Sequence, residues 1–185
     1  MIYRIFVEKK DNLQAKKIKD DLSAQLSIRA ESVRELIRYD VEGLSEEELK
    51  AAIVNVFSEP PVDTVYLEEA PFDADEKVFA IAFLDGQYDQ RADSAAQCVQ
   101  LLTRKARPLI KCARVIAVRG VSDGELERVK KHLINPVESS EVSLDKPKTL
   151  ARAKMHTQDV KTVEGFIAMS DGEIAEYHKA NGFAM

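Results

Sequence analysis

The chain has 185 residues, 45% of them hydrophobic and 32% charged, with a formal net charge of -5 at pH 7. This length suits one compact domain plus an appendage, and the mixture is that of a globular protein rather than a disordered or fibrous one. Lys and Arg are dispersed among acids with no basic stripe, which argues against nucleic acid, and the longest wholly apolar run, Val78 to Leu84, falls far short of the roughly 20 residues that span a bilayer. A soluble, cytoplasmic protein with no membrane partner is expected.

In chain order, Ile2 to Val7 reads as a strand with apolar side chains on both faces. Ala15, Ile18, Leu22 and Leu26 follow at helical spacing, opposite Lys16, Lys17, Lys19, Asp20 and Asp21. A second strand alternates, with Val33, Ile37, Tyr39 and Val41 on one side and Arg34, Arg38 and Asp40 on the other. Ser45 to Glu48 forms a capping box, opening a helix along Leu49, Ile53 and Val56 that Pro61-Val62-Asp63 ends before a short strand at Val65 and Leu67.

After an acidic segment from Glu68 to Lys77 the order starts again. Val78 to Leu84 is a strand, Ala92, Ala95, Val99 and Leu102 a helix stripe, and Ile110, Cys112, Ile116 and Val118 a strand face broken by Arg114. A second capping box, Ser122 to Glu125, opens a helix along Leu126, Val129 and Leu133, and Pro136-Val137-Glu138 ends it. Ala15 to Ser45 and Ala92 to Ser122 lie in register without a gap, 77 positions apart, with Gly43 on Gly120, Ser45 on Ser122 and Glu48 on Glu125. Further out, the same shift matches Val7 with Leu84, Val65 with Val142 and Leu67 with Leu144.

The fold class expected is therefore α+β, as two tandem βαβαβ repeats related to the ferredoxin-like sandwich, residues 1–70 and 78–145, closing over a shared core. Residues 1–146 form this domain. Residues 147–185 read as a short, mostly helical linker, with Val160, Val163 and Phe166 ahead of a third capping box, Ser170 to Glu173, on a helix that stops at Gly182.

Two cysteines without Cys-x-x-Cys spacing, Cys98 and Cys112, read as small buried hydrophobes. His132, His156 and His178 sit in no local catalytic signature, and Glu46-Glu47-Glu48 reads as favourable charge at a helix start rather than a metal site. No catalytic, cofactor or metal residue is assigned. The densest polar stretch runs from Gly86 to Cys98. In it Asp89 is a natural N-cap, Gln90, Arg91 and Asp93 crowd the helix start, and Ala92 and Ala95 would allow a neighbour to approach closely, so these six residues are the candidate interface. Anion binding at Arg91 is the alternative for the same stretch.

The opening Ile-Tyr-Arg-Ile-Phe-Val-Glu-Lys-Lys, Arg38 to Gly43, Val56 to Asp63, Gly86 to Cys98 and Ile134 to Ser139 together resemble the amino-terminal part of the large, single-chain phosphoribosylformylglycinamidine synthases. That resemblance implies a domain similar to a dimer of the separate small subunit of multi-subunit versions, followed by the start of a linker. The full enzyme uses ATP, magnesium and glutamine-derived ammonia to convert formylglycinamide ribonucleotide to its amidine in purine biosynthesis. The resemblance implies that the synthetase and glutaminase domains of the same polypeptide are the partners and that the catalytic parts lie outside these residues. A non-catalytic assembly domain docking glutaminase on synthetase is the expectation, with no cofactor bound by this chain. Alternatives are a small-molecule-sensing module of tandem ferredoxin-like repeats and, more weakly, a hydrolase using Cys98.

Overall fold

The computed structural model describes residues 1–151 and 162–182, which fall into two compact units, Met1–Ala151 and Arg152–Met185. The first unit contains one six-stranded sheet in which every pairing is antiparallel. Chain order is β1 (Ile2–Lys9), α1 (Leu13–Leu26), β2 (Ser32–Glu42), α2 (Glu46–Ala52), β3 (Asp63–Leu67), β4 (Glu76–Phe83), α3 (Gln90–Thr103), β5 (Leu109–Arg119), α4 (Asp123–Leu133) and β6 (Ser139–Val142). Spatial order is β3-β1-β2-β5-β4-β6, so the long strands β2 and β5 meet in the middle. The whole is an α+β architecture compatible with the ferredoxin-like type.

Local signals in the sequence account for the helix ends. Ser45 and Ser122 each accept from the backbone N–H three residues on, while Glu48 and Glu125 accept from the backbone N–H of their serines. This reciprocal box satisfies two of the helix's otherwise orphaned donors. Helices α1 and α3 both run 14 residues and both end on a left-handed residue, Ser27 and Arg104. Gly120, at φ 77°, turns the chain from β5 into α4. A Cβ there would lie 2.5 Å from Cγ of Glu31, so glycine serves both the dihedral and the space. One element was not foreseen: α2 widens into a π-helical turn, Ile53–Phe57, which carries Phe57 into the core beside Tyr39.

The strand registers correct three of the sequence matches. Leu13 and Gln90, which begin α1 and α3, are 77 positions apart, but Ile2 and Glu76, which begin β1 and β4, are only 74 apart. Val7 and Ile81 occupy corresponding places, each pairing with the central strand of its half, at Ile37 and Arg114. Leu84 lies beyond the strand. At the far edges Tyr66 pairs with Phe6 and Val142 with Ala80, so Val142 stands where Tyr66 does rather than Val65, and the Leu67–Leu144 match slips by the same one residue. The gap-free match covers helices and central strands; the connection after β4 is three residues longer than that after β1.

All four helices of this unit pack on one face of the sheet, in crossed fashion. Ile18 and Leu22 of α1 sit with Phe79, Ile81, Ile116 and Val118 of β4 and β5 and with Val129 of α4. Ala95 and Val99 of α3 sit with Ile5, Val7, Tyr39 and Val41 of β1 and β2 and with Leu49, Ala52 and Phe57. Each long helix thus buries part of its stripe on strands from the other half of the chain, beside Val33 of β2 in the first cluster and Ile110 and Cys112 of β5 in the second.

The opposite face carries a smaller cluster, Phe6, Leu36, Ala80, Ala113 and Val115. Two irregular segments roof it. In the first, Ala70 and Phe72 pack on the cluster while Arg34 lies between Glu8 at 2.8 Å and Glu76 at 3.1 Å. The second runs from Ser143 to Leu150. Arg4 is 3% exposed, forks onto both oxygens of Asp40 at 2.6 and 3.0 Å and donates to the carbonyls of Leu144 and Asp145, while Arg38 donates to the carbonyl of Ser143. Leu150 is buried and its N–H meets Glu42 at 2.7 Å. The compact unit that holds the sheet runs through Ala151, and beyond the 143–145 strap it is the buried Leu150 and its bond to Glu42 that tie these residues down.

In the second unit a 3₁₀ turn, Phe166–Ala168, precedes α5 (Asp171–Asn181), which opens on the Ser170–Glu173 capping box and closes on left-handed Gly182. Phe166 packs edge-on against Tyr177, centroids 6.0 Å apart. Val160 and His156 lie outside the described residues.

Candidate functional site

Strand register places one residue from each strand on a single row across the helical face: Val65, Val7, Ile37, Arg114, Ile81 and Glu141. A groove of about 1200 Å³ opens over the middle of this row, its walls including the beginnings of α1 and α3. Its floor holds Val7, Ile37 and Ile81 together with Arg114, the charged residue that interrupts the apolar face of β5. Nε of Arg114 donates to Glu35 at 2.6 Å, and Glu35 points to the same face from the neighbouring strand.

One row along, Tyr39 pairs with Cys112. Arg91, the second residue of α3, lines the groove near Tyr39. Burial disfavours the Arg91 charge, but the nearby Tyr39 hydroxyl and Asp89 more than offset this, so its pKa lies above the ordinary guanidinium value. Burial likewise pushes the Cys112 thiol up, which keeps it protonated and unreactive at neutral pH. Cys98 departs from expectation: it is exposed and lines the groove, because it follows Ser94 on the solvent side of α3.

The six residues singled out in sequence divide among three roles. Asp89 caps α3, accepting from the Ala92 N–H at 2.9 Å, and Asp93 accepts from Tyr88 at 2.9 Å and pairs with Arg107 at 2.5 Å. The Tyr88 hydroxyl, the leading cause, and Arg107 and Gln97 hold Asp93 in its charged form. Gln90 and Arg91 line the groove. Ala92 and Ala95 are each only 7% exposed, and Ala95 belongs to the core cluster over β1 and β2, so the small-residue stripe admits the protein's own sheet. What sequence reasoning missed was the far wall, Asn12, Leu13 and Gln14 of α1 and Glu35 and Arg114 of the central strands. Arg114 as a break in an apolar alternation was the available signal.

The β4–α3 connection and the α4–β6 turn meet beside the groove, where the Leu84 N–H donates to Glu138 O at 2.9 Å and Gln87 to Val137 O at 3.4 Å. On and next to these loops Phe83, Tyr88 and Val137 are 48, 68 and 75% exposed. Among the described residues no three His, Cys, Asp or Glu side chains gather as a metal site, and no helix is long and apolar enough to cross a membrane. Comparison with family models gives no match, and comparison with the curated proteins gives none either.

Proposed function

We propose that this chain is a docking module built as a pseudo-dimer of two βαβαβ repeats, acting as the assembly domain of a phosphoribosylformylglycinamidine synthase and seating glutaminase on synthetase in the cytoplasm. Support for the repeat comes from registers: in the β2–β5 pairing Ile37 lies opposite Arg114, its own counterpart 77 positions on, as a local two-fold axis through that pair requires. Crossed helix packing points the same way, since it is what two interlocked copies of a small subunit would produce.

The observation that carries the docking role is the apolar end of the groove. Phe83, Tyr88 and Val137 stand exposed together on adjoining loops, and Tyr88 lies in the longer connection that the first half lacks. Clustered apolar side chains of this kind mark surfaces that a partner covers. ATP, magnesium and glutamine chemistry would belong to the partner domains.

The test adds this chain to separately produced synthetase and glutaminase parts of a family enzyme. It should raise glutamine-dependent amidine formation and leave ammonia-dependent formation unchanged. Tyr88→Glu should weaken association about 30-fold, the size of an interface hot spot. Failure of the wild-type chain to bind either part, or an equal effect on both nitrogen sources, overturns the reading.

A further inference from the structure

We propose that two copies of this chain join through the free edge of β3, antiparallel and with a two-fold axis at Val65, so that their six-stranded sheets become one continuous sheet. The inference does not rest on the docking role. It leaves the loops that carry Tyr88 and Val137 uncovered, since β3 and β6 are opposite edges of the sheet.

Backbone groups carry the argument. The Lys10 N–H donates to Val62 O at 2.9 Å and the Glu68 N–H to Arg4 O at 2.8 Å, so the even-numbered residues of β3 turn their peptide groups toward β1. Asp63, Val65 and Leu67 turn theirs outward. Two of these outward groups are taken within the chain: the Asp63 N–H donates to Glu59 O at 2.9 Å, and Leu67 O accepts from the Glu69 N–H at 2.8 Å. Four have no partner among the described residues, namely Asp63 O, Val65 N–H, Val65 O and Leu67 N–H.

These four complement themselves. With Val65 opposite its own copy, each Val65 N–H donates to the other chain's Val65 O, and each Leu67 N–H donates to the other chain's Asp63 O. The remaining bond of this register, from Asp63 N–H to Leu67 O, involves groups already engaged inside each chain, so no edge group is left over. An unrelated strand could use the same edge, but only a second copy brings the same spacing of free and engaged groups. Side chains agree with the register. Leu67, 53% exposed, lies diagonally across from Val65 of the other copy, and Tyr66 lies opposite Thr64 on the other face.

The far edge shows why β3 is the one that pairs. The Leu84 N–H donates to Glu138 O at 2.9 Å, so Ser139 and Glu141 of β6 face outward. An axis there would fall at Glu141, which stands where Val65 does in the first half, and would set two carboxylates against each other. β3 carries neither a lysine nor a proline, the usual guards of an open edge, and its central residue is apolar.

The full chain is weighed by sedimentation equilibrium over a dilution series, and its backbone amides are followed by hydrogen exchange at both ends of that series. A mass rising to twice that of the chain is expected, with the Val65 and Leu67 amides becoming protected as it rises. Leu67→Pro removes an outward N–H that the ladder to β1 does not use, and should weaken the dimer about 30-fold, the size of two lost backbone hydrogen bonds. Leu67→Glu keeps the backbone but places a carboxylate opposite Asp63, and should weaken it too. Leu13→Glu, the same change at a leucine 68% exposed and outside the edge, should leave it intact. A monomer at every concentration gives the edge to some other strand and overturns the proposal. So does a dimer whose Val65 and Leu67 amides stay unprotected, one that folded Leu67→Pro or Leu67→Glu leaves unchanged, or one that Leu13→Glu dissolves.

Discussion

The two faces of the sheet are built by different means. On the helical face long apolar stripes meet apolar strands, and Leu22, Val41, Val99, Ile116, Val118 and Val129 are fully buried by side chains that need no specific partner. On the other face the cover is irregular backbone, and burial there requires Arg4, Asp40 and Arg38 to find each other and the carbonyls of the 143–145 strap. Non-directional burial tolerates approximate placement, whereas a network of buried charges fails when any member is removed. Arg38 reflects this: burial lowers its pKa, and Asp40 only partly restores the charged form.

The largest effect expected from breaking this contrast is on the charged face. Asp40→Ala leaves Arg4 and Arg38 buried without a carboxylate and should cost about 3–5 kcal/mol in urea unfolding. Pairing it with Arg4→Met should recover part of that loss. A double variant no better than the single would show that the strap's carbonyls, rather than the ion pair, set the stability of this face.

A smaller loss is expected on the helical face from Ala95→Trp. That change belongs to the core over β1 and β2, so it should cost roughly 1–3 kcal/mol through overpacking, seen as a lower midpoint in the same assay. An unchanged midpoint would mean that α3 can lift from the sheet without penalty.

The smallest effect concerns the surface caps, which neither face needs. Lys105 and the Ser45 backbone hold the Glu48 carboxyl at a pKa of about 2, below its ordinary 4.5. Because the folded-state value is the lower one, the stabilisation it brings is present above about pH 4.5 and is lost as pH falls through about 2. Lys105→Met should move the Glu48 titration up toward its ordinary value when followed by carboxyl NMR. Glu125, whose carboxyl is held down mainly by the Ser122 backbone and side chain and only weakly by the charges of Arg128 and Lys77, is the internal reference. An unmoved Glu48 would assign the depression to the cap alone.

Much of the fold was legible because its signals are local. Capping boxes at Ser45, Ser122 and Ser170 and the alternation of Val33 to Val41 follow from hydrogen bonding and periodicity within a few residues. The strand matches outside the gap-free stretch slipped because apolar residues on β1 and β4 face both ways, so hydrophobicity alone did not mark the register. Of the candidate site, the α3 start was visible as a polar cluster. Its opposite wall was not, since Asn12, Glu35 and Arg114 come together only when the two central strands pair.

By itself, then, the sequence determined the order and ends of the elements and which stripe of each helix is apolar, because those depend on neighbours three or four residues away. Only the tertiary structure decided that each long helix packs in part on the other half's strands, that Ala92 and Ala95 face inward, and that Arg91, Glu35 and Arg114 line one groove. These depend on contacts between residues far apart in the chain, whose geometry is settled only when the sheet closes.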